Sequence, residues 1–293
     1  FEAVVQNAAG MPVLRIERRY SLASDQHTLV IRQQVQNLSG TPYKVRFYQT
    51  GPVDMPQESA GYGGDKRRVR FGYLFPAAKD PTRSVVVSDE FLMGRGDALG
   101  GRGDNGAFRA KTLWPNNTSR NNNFDLVWAG MTSRYFGVAV HPVIDPTAAG
   151  VDKQLSWVGS VERIVLDTGG KDVPMALRLD SVPIELGAGA SRDLSIGVFA
   201  GPLNRKQIRD EPLLASLGLD GLVVYNFGGP CGFCTFGWLT GGLLWLLRTL
   251  HDYLVFDWAL AIILLVVIVR TILHPVTKWS QIRMQRFGKQ MQG

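Results

Sequence analysis

The residue whose type and setting most plainly call for chemistry is Arg270. It interrupts the stretch WALAIILLVVIVRTILHP, Trp258 to Pro275, in which the first twelve residues, Trp258 to Val269, are uncharged. A bilayer takes about twenty mostly apolar residues to cross. A spanning segment therefore runs from Leu254 to Leu273, with Asp257 near one end and Arg270 towards the other. An arginine at a helix centre costs roughly 2.5–3.5 kcal/mol on insertion, and such a charge marks a functional position by default. What it offers is electrostatic: shielded from bulk solvent, its pull on a carboxylate exceeds the roughly 1 kcal/mol expected at 4 Å in water. Two plainer readings stand beside this one. Arg270 is a stop-transfer flank that snorkels to the interface, or the twelve-residue run is a buried core helix. Against the first, Thr271, Ile272 and Leu273 continue the apolar pattern for another turn; against the second, Lys278, Arg283, Arg286 and Lys289 follow with no Asp or Glu up to Gly293. That basic tail is the positive-inside pattern, which puts the C-terminal side in the cytoplasm and everything before Leu254 outside.

Elsewhere no catalytic set assembles. His27, His141, His251 and His274 are isolated, none at metal-ligand spacing; His141 closes a strand pattern and reads as a core or edge histidine. No Gly-x-Ser-x-Gly elbow occurs. Cys231-Gly232-Phe233-Cys234 lacks the strand and helix setting of a redox pair, and a local disulfide or two buried thiols suits it better. GRGDALGGRGDNG, residues 94–106, carries two Gly-Arg-Gly-Asp repeats in a glycine-rich run that reads as a mobile loop, neither an adhesion motif nor a phosphate loop. Asn116 and Asn117 head formal glycosylation sequons. The sequence implies no enzyme, no cofactor and no metal. Trp114, Trp128 and Trp157 as stacking platforms would suit a different class, a membrane-tethered carbohydrate-binding or carbohydrate-active sandwich.

The elements that must carry these residues fall into two parts. Residues 248–293 hold six Lys or Arg against two Asp, a net of +4 out of the chain's +7, so the excess basicity sits beside the apolar segment. The one dense basic cluster elsewhere, Lys66, Arg67, Arg68 and Arg70, alternates along a strand or loop and reads as a solvated face; no nucleic-acid partner is implied. Two cysteines rule out a disulfide framework, and FEAVVQNAAG shows neither signal peptide nor anchor, so position 1 reads as the interior of a longer chain. From Leu14 onward, LRIERRYSL, TLVIRQQVQN and YKVRFYQTG alternate apolar and polar residues with the period of half-buried strands. Further strands fall in Phe124 to Pro142, Leu155 to Leu166, Met175 to Leu186 and SRDLSIGVFAGP, ending at Gly201-Pro202. Strands at such short intervals predict a β-sandwich over 1–203. A linker over 204–235 carries a short helix at Ile208 to Leu219, started or interrupted at Pro212. Over 236–253 an amphipathic helix lies in the interface, with Trp238 and Trp245 at headgroup depth and Arg248, His251 and Asp252 on one face. A transmembrane helix follows over 254–274, and 275–293 opens a basic cytoplasmic hairpin.

Those segments carry a resemblance. YFGVAVHP at Tyr135–Pro142, the strand ending Gly201-Pro202, the LASLGLDGLVVYNFG connector and above all IVRTILHPVTK at Ile268–Lys278 resemble the YidC family of membrane protein insertases. The likeness runs along most of the chain and is strongest after Gly201. It implies a mainly β, galactose-mutarotase-like supersandwich in the periplasm of a bacterial inner-membrane protein that is multi-pass at full length. It also implies an insertase and chaperone whose intramembrane arginine, here Arg270, lies in a hydrophilic groove and attracts polar or acidic segments of the substrate. Implied partners are nascent membrane proteins, the Sec translocon and membrane lipids, with ribosome contact through regions beyond Gly293. Where a hydroxyl residue one turn before the arginine would keep the groove polar, this chain has Val266, and the remaining core helices and the N-terminal anchor lie outside it, so it reads as a fragment.

Overall fold

The computed structural model describes residues 1–22, 27–56, 65–79, 83–87, 92–104, 106–148, 150–167, 173–224 and 237–290, with backbone alone at 118, 237–240, 276–277 and 279–290. The strands are β1 (Glu2–Gln6), β2 (Pro12–Leu22), β3 (Thr28–Asn37), β4 (Tyr43–Val45), β5 (Tyr48–Val53), β6 (Arg68–Leu74), β7 (Val85–Val86), β8 (Met93–Gly94), β9 (Lys111–Trp114), β10 (Asp125–Thr132), β11 (Phe136–His141), β12 (Val158–Val165), β13 (Met175–Ser181), β14 (Ile184–Leu186), β15 (Ser191–Asp193) and β16 (Ile196–Pro202). The helices are α1 (Arg95–Leu99), α2 (Asn117–Asn122), α3 (Arg205–Asp210), α4 (Pro212–Ser216), α5 (Gly237–Leu250) and α6 (Trp258–Gln290). They form two compact units, Phe1–Val224 and Tyr225–Gly293.

In the first unit a ten-stranded sheet runs β1-β2-β3-β16-β11-β10-β6-β7, with β15 added to β3 and β8 to β6. A second sheet runs β5-β13-β12-β9, and β14 pairs with β4 apart from both. All ladders are antiparallel, so the chain is mainly β, as the period-two patterns predict. The YKVRFYQTG pattern is divided: β4 pairs β14, whereas β5 pairs β13 in the second sheet. Ser181 Oγ accepts from the Phe47 N–H at 2.8 Å where the chain turns between them.

The central strands of the large sheet are buried on both faces. One face, with Ile31, Val35, Val69, Phe71, Ala129 and Met131, forms a core with Val161, Met175, Leu177 and Leu179 of the second sheet. The other face, with Leu74, Val127, Trp128, Ala139 and Phe199, is covered by Ile208, Leu214, Leu217, Leu219 and Leu222. A bulge between Leu126 and Trp128 sends consecutive residues Val127 and Trp128 to this second core. Trp128 needs Gly72 opposite: a Cβ there would lie 2.1 Å from the indole nitrogen. The indole N–H donates to the Leu217 carbonyl at 2.9 Å, tying the helical segment to the sheet. The segment read as a linker over 204–235 thus divides. Up to Val224 it packs on the sheet through α3, α4 and a 3-10 turn at Leu219–Leu222; residues 225–236, with Cys231 and Cys234, lie outside the described residues.

Two expectations fail here. The basic cluster is not a solvated face: Arg67 and Arg70 are buried. Arg67 forks onto Asp65 at 2.8–3.2 Å and reaches the buried Asp54 at 3.5 Å. Nor is the first part of the glycine-rich run, residues 94–99, a loose loop. Arg95 starts α1, is itself buried, and donates to Asp54 at 2.6 Å and to the Val173 carbonyl, while Ala98 sits in the core. One buried carboxylate, Asp54, organises both segments. Neutralising it by long-range partners satisfies the rule that a buried charge must be paired.

Candidate functional site

The second unit holds the segment that carries Arg270. Helix α5 ends at Leu250 and runs on as a π-helical turn, His251–Val255, closed by Phe256 in the left-handed region at φ 48°. The Phe256 N–H donates to the His251 carbonyl at 3.0 Å. Asp257 then starts α6, its carboxylate accepting from the N–H groups of Ala259 at 2.8 Å and Leu260 at 3.1 Å. An aspartate at this position satisfies orphan donors of the first turn. It therefore stands at the helix mouth, and α6 starts four residues later than the Leu254 start expected. The apolar stretch of α6 long enough to cross a membrane is Trp258–Pro275, and only 6% of it is buried within the chain. Within this chain the segment is therefore not a buried core helix, the plainer alternative.

Arg270 stands twelve residues into this helix, about 18 Å along its axis from Trp258 and about 7 Å short of Pro275 at 1.5 Å per residue. Its side chain is exposed and makes no hydrogen bond or ion pair among the described residues. Val266, one turn earlier, is exposed too, as are Ile262, Ile263, Val267, Ile272 and Leu273. Thr271 returns its hydroxyl to the Val267 carbonyl at 2.8 Å. Pro275 lies inside the helix, which continues to Gln290.

Around the bend, Trp245, Tyr253, Leu254, Phe256 and Trp258 are exposed. Leu250 and Ala261 are the buried positions of this unit among the described residues. His251 stacks on Trp258 with ring centroids 3.9 Å apart, and its Nδ1 lies 2.7 Å from an Asp252 carboxylate oxygen. The π-helical turn shifts the phase of the helix at this point. The single face expected for Arg248, His251 and Asp252 assumed a continuous α-helix, whereas Arg248 alone lies in α5.

The remaining candidates are structural. Trp114, Trp128 and Trp157 are 4%, 0% and 5% exposed, so none is available to stack on a sugar. His141 is a core histidine, with Nδ1 on the Pro142 carbonyl at 2.8 Å and Nε2 buried without a partner. Burial pushes its pKa down to about 4, opposed by that backbone bond. Asn116 caps α2, accepting from the Ser119 N–H at 2.7 Å. Among the described residues no group of three or more His, Cys, Asp or Glu is placed to hold a metal ion.

A large antiparallel β domain followed by a helix fit for membrane anchoring defines a class of membrane-associated sandwich protein. Within it, this chain is related to membrane protein insertase YidC. It is 31% identical over 162 residues to the YidC of Anaeromyxobacter dehalogenans (strain 2CP-1 / ATCC BAA-258), covering 55% of this chain and 24% of that protein. To the YidC of Neisseria meningitidis serogroup C (strain 053442) it is 30% identical over 146 residues, 42% of this chain and 24% of that one. The match thus spans about a quarter of the length of these relatives. No family model matches the chain. Solved structures similar to it include a putative aldose 1-epimerase from Klebsiella pneumoniae (TM-score 0.42, 8% identity, 78% of this chain and 54% of that one). Another is a galactose mutarotase-like protein from Lactobacillus casei (TM-score 0.38, 14% identity, 68% of each chain).

Proposed function

We propose that the chain belongs to a non-enzymatic insertase and chaperone of the inner membrane, and contributes its extracytoplasmic sandwich, an interfacial helix and one arginine-bearing span. The observation that carries the reading is Arg270: a guanidinium exposed on an apolar helix, unpartnered among the described residues, in a chain related to proteins named insertases. In the assembled full-length protein, Arg270 lines a hydrophilic groove. There it attracts polar or acidic segments of nascent membrane proteins, and each transient contact offsets part of the cost of moving such a segment through hydrocarbon. The basic residues after Pro275 keep that end in the cytoplasm, the sandwich stands outside, and Sec translocon components and lipids are its neighbours. The burial of Trp114, Trp128 and Trp157 removes what favoured a carbohydrate-binding sandwich.

The test uses the full-length gene product in cells depleted of their own insertase, with a small membrane protein that carries an acidic outer tail as substrate. Arg270→Lys keeps insertion near the wild-type rate, because charge rather than a bidentate fork is required. Arg270→Ala slows it and Arg270→Glu slows it most. Wild-type rates for both Ala and Glu would reduce Arg270 to a topology flank.

A further inference from the structure

A cavity of about 400 Å³ opens in the first unit where β16 meets α3 and α4. Its floor is apolar, made by Phe199, Ile208 and Leu214, and its rim carries His27, Asp210 and Glu211. Pockets that hold small ligands start at about 300 Å³, so this one has room for a single long side chain. The rim carries two carboxylates, with His27 facing Glu211. Neither the Asp210 nor the Glu211 carboxylate has an ion-pair or hydrogen-bond partner among the described residues. Two of the three basic residues of α3 are engaged elsewhere, Arg205 and Arg209 both reaching Asp220, at 3.3 Å and 2.8 Å, while the third, Lys206, is exposed. Glu211 joins the end of α3 to the start of α4 and is half-buried, yet caps neither helix with its side chain. Burial holds its carboxyl above the usual carboxylate range, and the facing His27 only partly offsets this. Behind this floor Thr28 is paired with Phe199 across the ladder, and its buried hydroxyl has no hydrogen-bond partner among the described residues.

We propose that this cavity is a subsite for a lysine or arginine side chain presented by an extended segment of a partner polypeptide. The aliphatic stem of such a residue suits a floor of Phe199, Ile208 and Leu214, while its head reaches the wet rim. There the two carboxylates supply charge-assisted hydrogen bonds, which are roughly twice as strong as neutral ones. An anionic ligand would meet two carboxylates that have no ion-pair partner among the described residues, and a neutral one would leave them so. The inference rests on the sandwich alone and is independent of Arg270.

The experiment is calorimetric titration of the full chain in a neutral detergent with four acetylated pentapeptide amides, Ser-Val-X-Val-Ser, in which X is arginine, lysine, citrulline or glutamate. The arginine and lysine peptides should bind at least tenfold more tightly than the citrulline peptide, which matches arginine in shape without its charge, and the glutamate peptide should not bind. The double variant Asp210→Asn/Glu211→Gln should lose at least tenfold in affinity for the arginine peptide. A second readout needs no variant. Lowering the pH protonates Glu211, whose carboxyl burial holds up, on a rim that it shares with His27 and Asp210 among the described residues, so wild-type affinity for the arginine peptide should fall. Equal binding of citrulline and arginine peptides, an unchanged affinity in the double variant, or an affinity indifferent to pH would each overturn the proposal. Binding of N-ethylguanidinium as tight as that of the arginine peptide would overturn its polypeptide part.

Discussion

Burying His141 with one ring nitrogen unpartnered ties the stability of the sandwich to pH. The Pro142 carbonyl requires an N–H at Nδ1, and because burial lowers the pKa the native ring is neutral near pH 7, with the lone pair on the buried Nε2. Its folded pKa, about 4, lies below the unfolded value, so between roughly pH 6.5 and 4 the unfolded chain binds the extra proton. Stability is therefore complete above the unfolded pKa and is lost as pH falls. By pH 5.5, above the range of most carboxylates, the loss from this group is on the order of 1 kcal/mol. Glu211 acts in the opposite sense: its raised pKa makes the native state the better proton acceptor, so it adds stability as pH falls. The difference between the wild type and His141→Gln isolates the histidine. Urea unfolding followed by tryptophan fluorescence should show the wild type losing on the order of 1 kcal/mol more than the variant between pH 7.5 and 5.5; parallel pH profiles would sink the assignment. A second residue-scale expectation concerns Trp128. Trp128→Phe leaves the Leu217 carbonyl without the indole N–H, an orphaned buried acceptor that costs about 1–3 kcal/mol. Gly72→Ala should cost at least as much, because the new Cβ lands 2.1 Å from the indole nitrogen. If Gly72→Ala unfolds at the wild-type urea concentration, the close packing of that pair is wrong.

At the scale of elements, α5 and α6 make a topological prediction. Trp245, Tyr253, Phe256 and Trp258 are exposed around the bend, suited to headgroup depth, and Asp257 closes the mouth of the helix at Trp258. Helix α5 should therefore lie on the outer surface while α6 crosses. With Cys231 and Cys234 replaced by serine, single cysteines at Thr240 and Gln290 are treated in intact cells with an impermeant maleimide. Label should reach Thr240 from outside and leave Gln290 untouched; label on Gln290, or a Thr240 reached only from the cytoplasm, would reverse the arrangement. Legibility in the sequence differed by element for physical reasons. Strand β3 was readable as period two because Ile31 and Val35 point inward and Arg32 and Gln34 outward, although the buried Gln33 between them is a polar letter on the inward face. The same period misled over YKVRFYQTG, where one alternating run serves two strands in different sheets. In β10 the bulge and two buried faces erase the alternation. The Asp54 cluster was invisible because its members, Asp54, Arg67 and Arg95, meet only through tertiary structure. Arg270 was legible for the opposite reason, since an arginine amid apolar letters is a local anomaly. What its side chain faces in a membrane is not written in neighbouring residues.

For the molecule as a whole, the division at Val224 decides what can be separated from what. Reading strands alone places the end of the sandwich near 203, where the last ladder stops. The large sheet at that point has an open apolar face, with Leu74, Val127, Trp128 and Phe199, and its cover comes from Ile208, Leu214, Leu217, Leu219 and Leu222 further along the chain. Each of these five is about fully buried, worth roughly 1.5–3 kcal/mol apiece relative to exposure. Their sum is on the order of 10 kcal/mol, comparable to the whole net stability of a domain at about 5–15 kcal/mol. A chain stopped after Val224 should accordingly be soluble and unfold cooperatively. A chain stopped after Leu203 should bind a hydrophobic dye, aggregate and lose its sharp transition, since the exposed face exceeds what a monomer tolerates. Supplying residues 204–224 in trans as a peptide should restore part of the transition through the same five side chains and the Trp128 to Leu217 bond. Should the shorter chain match the longer one in midpoint and cooperativity, the second core contributes little, and the helices after Leu203 are a linker resting on a sandwich already complete.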